Sequence, residues 1–305
     1  MGLLAPVVRE EYGGAGADWT MATIAAEELG RADISLAIPV LYLVQAAWGF
    51  IFDQYGTPEL KEEYLPRVTR GEAFLGIATT EPGGGSDILG ACNTRAVRDG
   101  DEWVCNGEKV FISGVRESLD WGGIHMMLAR TDMDPAAGHK AFTFFALPLK
   151  GTEGISPTFF EDMGRMGIST GGFAMEDVRL PAHHQVGQLN RGFYHAMEGF
   201  SAARTLIGAT CAGAAQAVLD MGMDHIRERQ AFGRPLASFE GVQFPLADLY
   251  SELEGVKLIN YKAAWTMDRK YKQGDATHYD IALAAAMAKL RAPKVGFDIM
   301  NEVAN

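Results

Sequence analysis

Residues 74–87 read FLGIATTEPGGGSD, a short apolar run followed by a turn with three consecutive glycines. The apolar run, residues 74–78, has the length and composition of a buried strand. The glycines let the backbone approach a bound group closely, and the flanking hydroxyls offer hydrogen bonds to a polar ring or a phosphate. The spacing matches neither GxxxxGK[ST] nor GxGxxG, so it indicates neither a P-loop nor a Rossmann site. Taken alone, it is more simply interpreted as an exposed turn.

The chain before this stretch has a helical pattern. Residues 21–31 are rich in alanine and glutamate, and residues 34–52 are apolar. Thr57 can cap backbone N–H groups and Pro58 suits a first helical turn, so a third helix is predicted to begin there. We therefore predict an N-terminal helical domain, partial in this chain, over residues 1–71.

The chain after the glycine turn first changes to a strand pattern. Turn-bounded runs predict strands at residues 103–105, 109–113, 125–129, 141–147, 158–161 and 172–180. Asp99-Gly100 and Asn106-Gly107 supply the positive-φ residues of tight turns, and the second pair is predicted to be a hairpin turn. These runs predict a middle antiparallel β domain over residues 72–185.

From residue 191 onward the pattern is helical again. Apolar residues recur at steps of three and four, as in Leu246, Leu249, Leu253, Val256, Ile259 and Ala263. Residues 275–305 read as a further helix with no stop signal, so we expect the natural sequence to continue beyond Asn305. The prediction is a partial C-terminal helical bundle over residues 186–305 and, for the whole chain, the α+β class.

Composition excludes several kinds of protein. The chain is 48% hydrophobic and 22% charged, as in folded globular proteins, and its net charge of −12 argues against a nucleic-acid partner. The three cysteines form no CxxC pair and the seven histidines have no metal-ligand spacing, so we expect reduced thiols and no metal. Residues 34–52 include a proline and a glutamine and lack basic flanks, which favours a buried helix over a membrane span. A cytoplasmic protein is expected.

Two further segments have the right chemistry for a cofactor. Residues 106–114, NGEKVFISG, place an aromatic ring beside a hydroxyl, which suits a flat heterocycle. Residues 227–235, RERQAFGRP, carry three arginines at the predicted end of a helix, where a guanidinium can pair with a pyrophosphate. Each segment also has an ordinary explanation, because a hairpin and a favourable helix dipole account for these residues as well.

Five segments together resemble the acyl-CoA dehydrogenase family, in the same order and along essentially the whole chain. They are EEYGGAGADW (10–19), ATTEPGGGSD (78–87), NGEKVFISG (106–114), GRMGISTGGFAMEDVRLP (164–181) and RERQAFGRPLASFEGVQFPLADL (227–249). The resemblance implies a helical domain, a β domain and a helical bundle that enclose FAD, in subunits that assemble as a dimer or tetramer. It also implies α,β-dehydrogenation of an acyl-CoA thioester, with electrons passed to an electron-transferring flavoprotein.

The resemblance also implies roles for individual residues. At the cofactor it places Ile77, Thr79, Thr80, Gly85, Ser86, Phe111, Ile112, Ser113, Arg229, Phe232 and Glu240. At the substrate it places Ser86, Ser201 and Arg204. Arg229 and Phe232 match positions that reach the FAD of a neighbouring subunit. Phe111 replaces a tryptophan common in the family, and Glu240 stands where glutamine is usual, which puts that one contact in doubt.

The proton-abstracting base is expected to be missing. Relatives supply a glutamate at one of two places; one corresponds to Ala203, and the other would follow Asn305. No catalytic residue is therefore expected in this chain, which resembles a family member truncated at both ends. Residues 36–52, with Tyr42 and Trp48, are expected to help line a pocket for a short, branched or cyclic acyl group.

Three alternatives remain open at this point. An acyl-CoA oxidase or a flavin monooxygenase would keep the fold and pass electrons to oxygen. A relative that binds acyl-CoA without chemistry would keep the fold and lose the base. A helical-bundle scaffold unrelated to flavin would explain the helical zones but not the ordered motifs.

Overall fold

The computed structural model describes residues 3–305 and contains helices and strands in alternating zones. The helices are α1 (Trp19–Ala32), α2 (Ala37–Tyr55), α3 (Pro58–Thr69), α4 (Ile88–Ala91), α5 (Val115–Trp121), α6 (Gly192–Glu228), α7 (Glu240–Asp268) and α8 (His278–Ala304). The strands are β1 (Phe74–Ala78), β2 (Arg95–Asp99), β3 (Glu102–Ser113), β4 (Gly123–Arg130), β5 (Phe142–Leu147), β6 (Ile155–Phe160), β7 (Thr170–Pro181), β8 (Gln185–Val186), β9 (Gln230–Ala231) and β10 (Arg234–Pro235). The predicted α+β class, with helical, sheet and helical zones, is confirmed.

The chain forms two compact units. The first unit contains the residues up to Ala17 and Val44–Phe200, and the second contains Asp18–Leu43 and Ser201–Asn305. Both units are therefore built from chain segments that are distant in sequence. The three domain bounds predicted from composition stay predictions, because this grouping follows spatial contacts rather than changes in sequence pattern.

The first unit is built on an eight-stranded sheet with the order β6-β7-β3-β2-β4-β5-β8, and β1 pairs with β4. Most neighbouring strands are antiparallel, as predicted. The β1–β4 pair is parallel, with Phe74 opposite Gly123, which the sequence did not indicate. One face of the sheet is closed by large side chains such as Trp103 and Phe145, whose rings meet edge to face at 5.1 Å.

The predicted hairpin turn at Asn106-Gly107 is wrong. Both residues lie inside the 12-residue strand β3, where its pairing with β7 shifts register between Cys105 and Gly107. The Asn106 side chain accepts a hydrogen bond from the Asp177 backbone N–H at 2.8 Å, which holds the bulge. A bulge and a tight turn both select Asn-Gly, so the local signal was present and its meaning was set by the partner strand.

The helix starts follow the local signals. Thr57 accepts a hydrogen bond from the Leu60 backbone N–H at 3.3 Å, and Pro58 is the first residue of α3, as predicted. In the second unit, Thr277 and Asp280 form a capping box at the start of α8. Among residues 3–305, α6 alone is long and apolar enough to cross a membrane by length and composition, but 56% of its apolar window is buried, as in a core helix.

The second unit is a helical bundle whose α7 stripe is confirmed. Leu246, Leu253 and Val256 are buried along one side of α7 in a core to which α8 contributes Ile299, and Ala263 is buried in a second cluster with Ala284 and Ala288 of α8. Two glycines let α1 and α6 cross closely. A Cβ on Gly30 would lie 2.2 Å from the Thr210 carbonyl oxygen, and one on Gly213 would lie 1.9 Å from the Glu27 carbonyl oxygen.

Candidate functional site

The glycine turn follows the C-terminal end of β1, and its tip is exposed to solvent. Thr79 is buried directly after the strand, Thr80 is half-buried, and Gly85 and Ser86 are exposed. Gly84 closes the turn through a hydrogen bond from its N–H to the Glu81 carbonyl at 3.0 Å. A Cβ on Gly85 would stand 3.5 Å from the Thr80 methyl group, so the tip of the turn lies against Thr80. The turn thus presents hydroxyls and bare backbone at one place.

Strand β3 runs beside this turn and presents an exposed aromatic ring. The Val110 N–H donates a hydrogen bond to the Thr80 carbonyl at 3.0 Å. The next residue, Phe111, has a left-handed backbone with φ 58° and leaves 69% of its surface exposed. A left-handed, exposed phenylalanine costs conformational and solvation energy, and such outliers concentrate at ligand sites.

The end of β3 supplies the remaining predicted residues of the first unit. Ile112 is buried, and the Ser113 hydroxyl accepts a hydrogen bond from the Arg165 guanidinium at 3.4 Å. The structure therefore brings Thr79 and Thr80 next to β3, the strand that carries residues 111–113, through contacts with Lys109 and Val110. Ile77 lies one residue before the end of β1, opposite Met126 of β4, and is partly buried.

A buried ion pair joins the two segments, and it was not among the predicted site residues. The Lys109 ammonium lies 2.7 Å from a Glu81 carboxylate oxygen, with the two side chains 0% and 4% exposed. Burial alone would raise the pKa of Glu81, but the charge and hydrogen bond of Lys109, together with hydrogen bonds from Thr94 and Asn93, outweigh it and hold that pKa below its ordinary value. The sequence offered little signal for this pair, because both motifs carry other polar residues and only the structure shows that Glu81 and Lys109 are buried and paired.

A neutral histidine lies beneath Ser113. His125 is completely buried, with Nε2 3.2 Å from the Ser113 carbonyl oxygen and Nδ1 3.3 Å from the Ser118 hydroxyl. Burial lowers the pKa of His125 to about 4, because the charged ring would have to give up water. A neutral ring that donates from Nε2 and accepts at Nδ1 satisfies both neighbours and fixes the end of β3.

In the second unit, the predicted substrate residues lie on α6. Ser201 is buried and Arg204 is half-buried, and their spacing of three residues puts them on neighbouring turns of one helix face. Ala203, where some relatives are expected to carry the base, has a methyl group that cannot accept a proton.

The other predicted cofactor residues of this unit surround one hairpin. Helix α6 ends at Glu228, and β9 and β10 are joined through Phe232 and Gly233, with φ 54° and 77°. Phe232 is 97% exposed at the tip, Arg229 is exposed before the hairpin, and Glu240 is exposed at the start of α7.

One of the three arginines of this segment lies differently from the prediction. They were expected to cluster at the end of one helix: Arg227 lies in the last turn of α6, where it pairs with Asp224 at 3.0 Å, and Arg229 directly follows the helix, with its N–H donating to the His225 carbonyl at 2.8 Å. Arg234 lies in β10, and its guanidinium stands 4.0 Å from the centre of the Phe239 ring. The chain turns back at Gly233 before the third arginine, so the helix-dipole explanation covers Arg227 and Arg229 but not Arg234.

No group of three or more His, Cys, Asp or Glu side chains suited to a metal ion occurs among residues 3–305. The polar groups of the site are instead hydroxyls, backbone amides, guanidinium groups and one buried ion pair. Such groups suit an organic ligand with a polar ring and phosphates.

Comparison with known sequences matches nearly the whole length of the chain to the domains of one protein family. Three family models match the chain: the acyl-CoA dehydrogenase N-terminal domain over residues 1–72, the middle domain over residues 76–178 and the C-terminal domain over residues 190–305.

Individual proteins agree with these matches. Cyclohex-1-ene-1-carbonyl-CoA dehydrogenase of Syntrophus aciditrophicus is 36% identical over 90% of this chain and 64% of its own length. The caffeyl-CoA reductase-Etf complex subunit CarC of Acetobacterium woodii is 34% identical over 86% of this chain and 67% of its own length. The solved structure of butyryl-CoA dehydrogenase from Megasphaera elsdenii is 29% identical with a TM-score of 0.88, over 99% of this chain and 76% of that one. The chain thus spans from 64% to 76% of the lengths of these proteins.

Proposed function

Because the chain belongs to the acyl-CoA dehydrogenase family, we propose that it forms the flavin- and acyl-CoA-binding part of an oxidoreductase that converts an acyl-CoA thioester to the 2-enoyl-CoA. The observation that carries the proposal is the exposed ring of Phe111. It is held at φ 58° in β3, one residue after Val110, whose N–H bonds the Thr80 carbonyl, and two residues before Ser113. An exposed aromatic face on a strand that also carries a hydroxyl residue fits a flat heterocycle better than it fits water.

FAD is the cofactor that this arrangement fits. When bound, it supplies the acceptor for the hydride that leaves the β carbon. Phe111 would stack on the ring system, while Thr80 and Ser113 would hydrogen-bond to its polar edge. Exposed Gly85 and Ser86 would let the backbone approach the cofactor closely.

The exposed hairpin of the second unit supports an oligomer. A phenylalanine that is 97% exposed at a hairpin tip would be covered by a second copy of the chain. We propose a dimer or tetramer in which Arg229 and Phe232 of one copy reach the cofactor of another. Glu240 would place a carboxylate near the cofactor diphosphate, a contact that needs a proton or a cation to be favourable.

The substrate is proposed to be an acyl-CoA, with Ser86, Ser201 and Arg204 as its polar contacts. We assign no proton-abstracting base among residues 3–305, because the one family position for it that falls within them is occupied by Ala203, which cannot accept a proton. The related proteins described above are named for different acyl groups, so the thioester is common to them and the acyl chain is not. Bulky, buried Tyr42 and Trp48 in α2 favour a short, branched or cyclic acyl group.

The proposed electron acceptor is an electron-transferring flavoprotein. A relative that is 34% identical is named as a subunit of an Etf complex, which supports this choice. A cytoplasmic location is proposed from the scattered, unpaired cysteines.

Acyl-CoA binding tests the proposal. Titrating the FAD-loaded protein with butyryl-CoA, cyclohexanecarbonyl-CoA and free CoA should give a saturable change in flavin absorbance with the thioesters. Arg204→Gln should weaken this binding about tenfold, because a half-buried contact to a charged or polar ligand group is lost. Arg227→Gln, in the exposed last turn of the same helix, is the matched control and should bind like wild type. A flavin spectrum that no thioester changes would contradict the proposal.

A further inference from the structure

We propose that Glu81 and Lys109 are positioning residues for the flavin, which clamp the glycine turn against β3 so that Thr80 and Phe111 face one ligand. The inference rests on the proposed function and deepens it, since neither residue is assigned a contact with cofactor or substrate. It begins from an observation in the first unit alone: the completely buried ammonium and the nearly buried carboxylate lie between the two predicted flavin segments.

Lys109 ties two separate pieces of chain, β4 and the segment that follows β1, to β3. Its ammonium donates to the Leu128 carbonyl of β4 at 2.7 Å and to the Thr79 carbonyl at 3.3 Å, besides the Glu81 carboxylate. These partners use the three donors that an ammonium has. Lys109 is also two residues before Phe111, within the register shift of β3 against β7. The clamp therefore acts at the place where the strand adopts its left-handed residue.

Glu81 fixes the far side of the turn. One carboxylate oxygen accepts from the Asn93 N–H at 2.6 Å, and the other accepts from the Thr94 N–H at 3.1 Å and the Cys92 thiol at 3.2 Å. Residues 82–91 thus form a loop whose entry and exit are both held by one side chain. Burial raises the pKa of Cys92 to about 11, so its thiol stays protonated and donates.

Stability alone does not account for this pair. Replacing a buried ion pair by well-packed apolar residues is often neutral or stabilising, so the pair is weak evidence of a stabilising role. An apolar pair could fill the space, but it could not bond the Thr79 and Leu128 carbonyls or the amides of residues 93 and 94. The charged pair therefore fixes the backbone on both sides of Thr80. The Thr80 carbonyl itself accepts a hydrogen bond from the Val110 N–H at 3.0 Å.

The experiment compares flavin binding and amide exchange in matched variants. The variants are Glu81→Gln, Lys109→Met and the double variant, which leaves no unpaired charge and so covers the case in which a single variant does not fold. Asp53→Asn is the control. Asp53 is also a buried carboxylate, paired with Arg9 at 2.7 Å and bonded to a backbone N–H, but it lies outside both flavin segments.

We expect the Glu81 and Lys109 variants to raise the FAD dissociation constant at least tenfold and to change the visible circular dichroism of the bound flavin. Asp53→Asn should keep the FAD dissociation constant and the visible circular dichroism of the bound flavin within twofold of wild type. In the proteins without FAD, amides of residues 79–94 and 109–112 should exchange at least tenfold faster in the Glu81 and Lys109 variants, while those of β5 stay protected.

Unchanged FAD affinity and flavin dichroism in the double variant would overturn the proposal, as would unchanged exchange at residues 79–94. If wild type binds no FAD, the proposed function fails and the flavin role of the pair fails with it. Amide exchange then decides separately whether the pair clamps the turn, because that measurement needs no cofactor.

Discussion

Replacing Gly213 by alanine should destabilise the second unit by about 3 kcal/mol. The added Cβ would lie 1.9 Å from the Glu27 carbonyl oxygen and 2.9 Å from the Arg31 nitrogen, both of them backbone atoms of α1. A flexible side chain could move away, but a helix backbone cannot, so α1 and α6 must separate. Separation would weaken the packing on both sides of the crossing. Chemical unfolding monitored by circular dichroism measures the loss.

Gly255→Ala is the matched control for this substitution. Gly255 is an exposed residue in the middle of α7, and a Cβ there would meet no atom within 4 Å apart from the adjoining turns of its own helix. Alanine there should stabilise the protein by about 0.5–1 kcal/mol, because glycine is the poorer helix former. Equal effects of the two substitutions would contradict the close crossing of α1 and α6.

When the pH is lowered from 7 to 4, the free energy of unfolding should fall by about 3 kcal/mol more in wild type than in the His125→Gln variant. The pKa of His125 is lowered from 6.5 to about 4 by burial in the folded protein. As the pH falls, His125 therefore binds its proton at a higher pH in the unfolded chain than in the folded protein. The stabilisation is complete above pH 6.5 and is lost progressively toward pH 4, where the folded protein also begins to bind the proton.

Urea unfolding at pH 7, 6, 5 and 4 measures this difference, since glutamine has no charge to gain in that range. His183→Gln is the control for replacing a histidine by glutamine, because His183 is an exposed histidine in the same unit that lies outside the sheet core. Its urea unfolding is measured over the same pH range. A His125→Gln variant with the wild-type slope would show that the buried ring is not what titrates.

Local rules predicted many of the elements. The Thr57-Pro58 start of α3 and the apolar stripe of α7 depend on residues a few positions apart, and both were found where the sequence placed them. The failures involve distant partners. Asn106-Gly107 carries the signal of a tight turn, and only its pairing with β7 makes it a bulge. The parallel pairing of β1 with β4 likewise depends on a segment almost fifty residues away.

The candidate site shows the same division. Composition and spacing alone gave each motif an ordinary explanation, and the order of all five segments was needed to connect them with a flavin. The structure adds three features that neither the composition and spacing nor the order of the segments could supply. They are the left-handed backbone of Phe111, the hydrogen bond between Val110 and Thr80, and the pairing of Glu81 with Lys109 across 28 positions of sequence.

FAD titration of the purified protein tests the central claim most directly. With flavin fluorescence as the signal, wild type should quench FAD saturably and stoichiometrically. Phe111→Ala should bind at least tenfold more weakly, because the stacking face is removed. Flavin that stays fully fluorescent with wild type, or that binds equally well to Phe111→Ala, would contradict a cofactor site at the glycine turn and β3.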